Sequence, residues 1–217
     1  MTGIILGEVE VRVLGCLIEK EMSTPEYYPL SLNALVNACN QKNNREPVVA
    51  YDEVSVARAL ESLKPKQLVY EAGGSRVVKY GHNFTKLHKL INKEAAIMAE
   101  LMLRGPQTLG ELRTHTERMS RFESLDEVEE SVKNLETIKF AVKLPRQPGR
   151  KESRYAHQLM GEIRVEEMQA EAPAEAAVLK VRAENERLAR LEEDVAAMRH
   201  ELEELKRAFF EFKKQFE

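Results

Sequence analysis

The chain has 217 residues, 43% hydrophobic and 32% charged, with a net charge of −3, the composition of a helix-rich globular protein with room for one or two domains and an appendage. No run approaches the apolar length needed to span a bilayer, and Met1–Leu6 lacks the basic start and apolar core of a signal peptide. Cys16 and Cys39 fit neither a CxxC motif nor a disulfide framework, so the expectation is a cytoplasmic protein with no membrane association and no strongly basic nucleic-acid surface.

Taken in chain order, a helix is predicted from about Glu8 to Glu21, with Val9, Val13 and Leu17 on one face. Ser23–Pro29 carries two prolines and cannot continue it, so this is a loop, with Tyr27 and Tyr28 as anchors. Ser31 is a good N-cap for a second helix whose core face is Leu32, Leu35, Val36 and Cys39. Gln41–Pro47 is a polar turn. A third helix starts at the N-cap Asp52 and ends near Lys64-Pro65. Val69–Ala72 and Arg76–Tyr80 then read as strands around a Gly73-Gly74 turn. Three helices and a hairpin in that order predict a winged helix-turn-helix over residues 6–82.

The plan is then repeated over residues 83–160. A helix is predicted from about Lys86 to Arg104, stopped by Gly105-Pro106. Thr108 caps the next, a third runs from near Asp126 to Ile138, and a second wing spans Phe140 to Leu159. The duplication is visible residue by residue. Val56, Leu60, Leu63 and Leu68 are matched at the same spacing by Val128, Val132, Leu135 and Phe140, and Leu32 and Leu35 by Leu109 and Leu112. Tyr80-Gly81-His82 is echoed by Tyr155-Ala156-His157.

From Gly161 the character changes. Residues 161–177 are rich in Glu and Ala and read as a linker. Over 178–217 a heptad pattern predicts a coiled-coil helix, with Leu188, Val195, Leu202 and Phe209 at one core position and Leu191, Met198, Leu205 and Phe212 at the other. Arg187, Asp194 and Glu201 face Glu192, Arg199 and Lys206 with opposite sign across a parallel pair, which favours a homodimer through these residues. One long amphipathic helix folded back on its own domains is the other reading.

With the elements placed, Leu14–Lys20, Thr24-Pro25, Tyr28–Leu35 and Ala38–Val48 closely resemble the YceH family of bacterial proteins of unassigned function. The resemblance covers roughly residues 6–160. It implies a tandem winged-helix fold and brings no activity and no catalytic residues.

Candidate chemistry is sparse. His82, His88, His115, His157 and His200 are scattered without Cys or carboxylate partners at ligand spacing. No Gly-rich phosphate loop or nucleophile elbow is present. The expectation is a protein without catalysis, cofactor or metal. Two clusters suit nucleic acid. In the first copy, the turn before helix 3 supplies Lys42, Asn43, Asn44 and Arg45, and helix 3 supplies Arg58. In the second wing, Lys143, Arg146, Arg150, Lys151 and Arg154 meet only Glu152. Against this, helix 3 of the second copy opens Asp126-Glu127-Val128-Glu129-Glu130. Those carboxylates suit the helix dipole but repel phosphate. The leading expectation is a transcription-regulatory dimer binding double-stranded DNA. The second is a winged-helix scaffold for an unidentified protein partner, with no direct DNA binding.

Overall fold

The structure is a computed structural model that describes residues 4–73, 77–146 and 152–161. The chain divides into two compact units, Met1–Val165 and Glu166–Glu217. The linker and coiled-coil expectations, including all eight heptad-core residues from Leu188 to Phe212, lie outside the described residues.

The fold is mainly helical with small antiparallel sheets, a tandem of winged helices. The first copy runs α1 (Glu8–Ser23), α2 (Leu32–Cys39), α3 (Glu53–Leu63), with β1 (Leu30–Ser31), β2 (Val69–Ala72) and β3 (Lys79–His82). Local chemistry sets the helix starts. Ser31 Oγ accepts from Ala34 N at 3.3 Å and Asp52 Oδ1 from Ser55 N at 2.8 Å, each satisfying an amide that the helix itself leaves open. The sheet order is β1-β3-β2. The two-residue strand β1 follows directly on the segment read as a loop and was not expected, and β3 starts three residues later than the expected strand. Tyr28 packs half-buried and its hydroxyl accepts from His82 N at 2.7 Å. Tyr27 is 71% exposed and anchors nothing.

The second copy runs α4 (Phe84–His88), α5 (Asn92–Arg104), α6 (Leu109–His115), α7 (Leu125–Thr137), β4 (Ala141–Lys143) and β5 (Tyr155–His157). The single helix expected from Lys86 to Arg104 is therefore broken in two. Lys89 takes left-handed backbone at φ 54°, and α5 restarts with Glu94 Oε2 accepting from Ile91 N at 3.1 Å. The break turns Phe84 into an aromatic cluster, its ring 5.3 Å from that of Phe140, with His88 4.7 Å from Phe140. Thr108 and Glu111 form a reciprocal capping box at α6. The cap of α7 is Ser124, two residues before the expected start.

The duplication extends to the backbone. All eight template residues, Val56 to Leu68 and Val128 to Phe140, are buried. Gln67 and Lys139 occupy equivalent places after α3 and α7, and both are left-handed, at φ 59° and 60°. In each copy the next residue, Leu68 or Phe140, donates back to Leu63 or Leu135. The pairing of Leu30 with Tyr80 in the first sheet recurs as a bridge between Gln107 and Tyr155 in the second.

The two copies share one hydrophobic core running from Leu6 to Leu159. Its axis is the pair α1 and α5. Every residue of α1 from Val11 to Glu19 is buried, as is every residue of α5 from Glu94 to Leu103, the pattern of helices enclosed on all sides. They meet closely at Gly15, where a Cβ would lie 3.0 Å from Met102 Cβ and 3.1 Å from Leu103 Cδ2. Larger side chains here must push the helices apart. Gly15→Val is expected to lower the unfolding free energy by about 1–3 kcal/mol through overpacking, measured by urea denaturation.

Candidate nucleic-acid interface

The segment between α2 and α3 is the helix-turn-helix turn of the first copy, and it is fastened at both ends and in the middle. Asn40 closes the ends: its Nδ2 donates to Tyr51 O and its Oδ1 accepts from Tyr51 N, both at 2.8 Å. This is the bracing role that an Asn at a turn performs well. From α1, Arg12 Nη2 reaches up to donate to Pro47 O at 2.7 Å.

Arg45 fills the middle, and here the structure corrects the sequence reading. Its side chain points inward, 4% exposed, instead of out towards a phosphate. Nε donates to Ala38 O at 3.1 Å, near the open carbonyls at the end of α2. Nη1 donates to Asn44 O, and the fork grips Glu19 of α1 at 2.5 and 3.1 Å. A bidentate guanidinium–carboxylate pair is strong and geometrically exacting. Burial works against the charge on Arg45, but Glu19 and, after it, Cys16 together hold the guanidinium's pKa above its ordinary value.

Pinning from within leaves Lys42, Asn43 and Asn44 on the outside, all exposed. Asn44 sits in left-handed backbone at φ 61°, a conformation Asn tolerates better than most residues, and its Oδ1 accepts from Arg104 Nη2 at 2.5 Å. On α3, Arg58 is exposed, alongside Glu53, Glu61 and a 56%-exposed Val54.

The second wing is less basic than its sequence. Arg154 is half-buried, donating from Nη1 to Pro106 O at 2.6 Å and from Nη2 to Glu111 Oε1 at 2.7 Å. It braces the wing against α6 and is withdrawn from the candidate set. Lys143 stays exposed, with Nζ 5.7 Å from the Tyr155 ring centroid. Arg146 is exposed; Arg150 and Lys151 lie outside the described residues. On α7, Glu127 pairs with Lys93 and Glu129 with Lys133, while Asp126 and Glu130 are exposed. The face of α7 is acidic.

Sequence reasoning missed the buried charges Arg12, Glu19 and Glu100, and the half-buried Arg104. Their signal was present: Arg12, Glu19 and Glu100 each interrupt or border an apolar run, and Glu100 and Arg104 stand one turn apart. Glu100 is 4% exposed and its Oε2 lies 2.8 Å from Arg104 Nε. Neither of these two atoms has an aligned hydrogen-bond partner among the described residues. Burial, only partly offset by Arg104, pushes the Glu100 carboxyl up to about 7.

Residues 6–150 match the family described as Protein of unknown function, DUF480. The chain belongs to this family. It is 57% identical over 215 residues to a UPF0502 protein of Geotalea uraniireducens, covering 98% of both chains. It is 54% identical over 217 residues to one of Geobacter sulfurreducens, covering 99% of both, and 56% identical to one of Geotalea daltonii over the same length and coverage. An uncharacterised family agrees with the unassigned function that the sequence resemblance implied. Among the described residues no helix is long and apolar enough to cross a membrane.

Two measurements test this site. Arg45→Ala removes the bidentate partner of the buried Glu19 and leaves it only Lys20 at 3.5 Å, so a loss of about 3 kcal/mol in urea unfolding is expected. Lys42→Ala, on the outside of the same turn, should stay within about 0.5 kcal/mol of the parent. For Glu100 the folded-state pKa lies above the unfolded value. The stability it contributes is therefore fully present below about pH 4.5 and is lost as pH rises through about 7. Over that window the parent should lose about 3 kcal/mol that Glu100→Gln does not lose.

Proposed function

We propose that the protein is a non-enzymatic, transcription-regulatory DNA-binding protein that touches double-stranded DNA mainly through its first winged helix and dimerises through the C-terminal heptad residues. The observation that supports this best is the sorting of charge around the first turn. Arg12 and Arg45 are spent inside, fixing the turn to α1, and this presents Lys42, Asn43 and Arg58 outward on a rigid support. Lys and Arg suit phosphate oxygens, and Asn suits either a phosphate or an adenine edge. Arg146 of the second wing adds an exposed cation. The acidic face of α7 makes the second copy a support, not a reader. Dimerisation would add avidity by joining two such weak sites.

A protein-interaction scaffold is the second reading, favoured by that acidic helix and by Val54 standing exposed at the start of α3. Fluorescence anisotropy of the full-length chain on random-sequence duplex, titrated from low to physiological salt, separates the two. With Lys42, Arg58 and Arg146 as the described contacts, a log–log salt slope of about −3 per chain is expected. The double variant Lys42→Ala/Arg58→Ala should flatten it by about two units. No binding at the lowest salt, or binding that the double variant leaves unchanged, would overturn the DNA reading and leave the scaffold.

A further inference from the structure

The turn that carries Lys42 and Asn43 is held from two directions, and only one of them belongs to its own winged helix. From α1 come Arg12 and Glu19. From α5 of the second copy come two further bonds, on either side of Arg45. Arg104 Nη2 donates to Asn44 Oδ1 at 2.5 Å, and Leu103 O accepts from Glu46 N at 2.9 Å. Leu103 O lies in the last turn of α5, where carbonyls have no partner within the helix, so the turn of one copy completes the helix end of the other. Arg104 is in turn fixed by Glu100, one helical turn back. Asn44, the residue this latch grips, directly follows Asn43 and takes the left-handed conformation that aims the turn.

We propose that Arg104, oriented by Glu100, is a positioning residue for DNA binding. The second winged helix, poor in contacts of its own, sets how the first one presents Lys42 and Asn43. This inference rests on the DNA-binding reading above and adds to it the way the site is controlled. The latch acts through the backbone of residues 44–46 and contributes no phosphate contact. Charge surrounds it on every side: Glu19 and Arg45 lie within electrostatic reach of Glu100, and His115 of α6 within reach of Arg104, which helps to lower the histidine's pKa, after burial. Of Glu100, Arg104 and His115, Arg104 is the one bonded to the turn.

Hydrogen exchange and DNA binding of full-length Arg104→Gln and Arg104→Lys test the proposal. Without DNA, the Glu46 amide should exchange about ten-fold faster in Arg104→Gln, with the amides of α1 unchanged and partial recovery in Arg104→Lys. With DNA, Arg104→Gln should weaken binding several-fold while the salt slope stays that of the parent, because no phosphate contact is removed. Lys42→Ala is the contrast, since it should reduce the slope. Unchanged exchange at Glu46 overturns the latch. A slope reduced by Arg104→Gln overturns it too, because Arg104 would then be a phosphate ligand itself. A parent chain that does not bind DNA refutes the function the inference rests on, and is recognised as such because the exchange arm is measured without DNA.

Discussion

The close approach of α1 to α5 at Gly15 is the constraint on which the rest of this structure depends. Each is the long, enclosed helix of its own winged helix, and neither has a face left for solvent along its middle. A winged helix of this size has little apolar surface to bury alone. Packing the two helices directly against each other gives both copies one core. Gly15 permits it because no side chain intervenes between the α1 backbone and Met102 and Leu103. The start of the chain is tied in as well, with Leu6 N donating to Leu159 O after the second wing.

The same packing explains where the charges went. Two helices enclosed along their middle still have to carry Arg12, Glu19 and Glu100, with the half-buried Arg104 at the end of α5, and a buried charge is tolerated only when paired or hydrogen-bonded. These four find their partners in or beside one place, the turn between α2 and α3. Such networks contribute less to net stability than their short distances suggest, because desolvation offsets most of the attraction. What they do fix is geometry. A turn otherwise free to move is held from below by α1 and from the side by α5, and its outer residues are thereby aimed. Under the proposed reading the first copy presents Lys42 and Arg58 on this turn and on α3, and the second copy supplies the support.

Much of this was legible in the sequence, and the losses have physical causes. The apolar template and its repeat depend on periodicity, a signal every residue of the core contributes to, and so all eight template positions were found. The N-caps at Ser31, Asp52 and Thr108 were equally clear, since short hydroxyl or carboxylate side chains before apolar periodic runs have one common use. Strand β1 was invisible because two residues next to a proline carry no period. The break at Lys89 was missed because a left-handed lysine looks like any other lysine in sequence. Arg45 was misread for a deeper reason. Lys42 and Arg45 are alike in charge and neighbourhood, and only the position of Glu19, 26 residues away, separates the inward one from the outward one.

The claim that both winged helices are one cooperative body is the most exposed to test. Native-state hydrogen exchange on the full-length chain, followed amide by amide in α1 and α5 across low denaturant concentrations, addresses it directly. If the shared core holds the copies together, the most protected amides of both helices should open with one common free energy and one common denaturant dependence. If α5 and α7 exchange through a distinct opening of lower energy while α1 stays protected, the copies are independent domains in contact, and the support assigned to the second copy falls with that result.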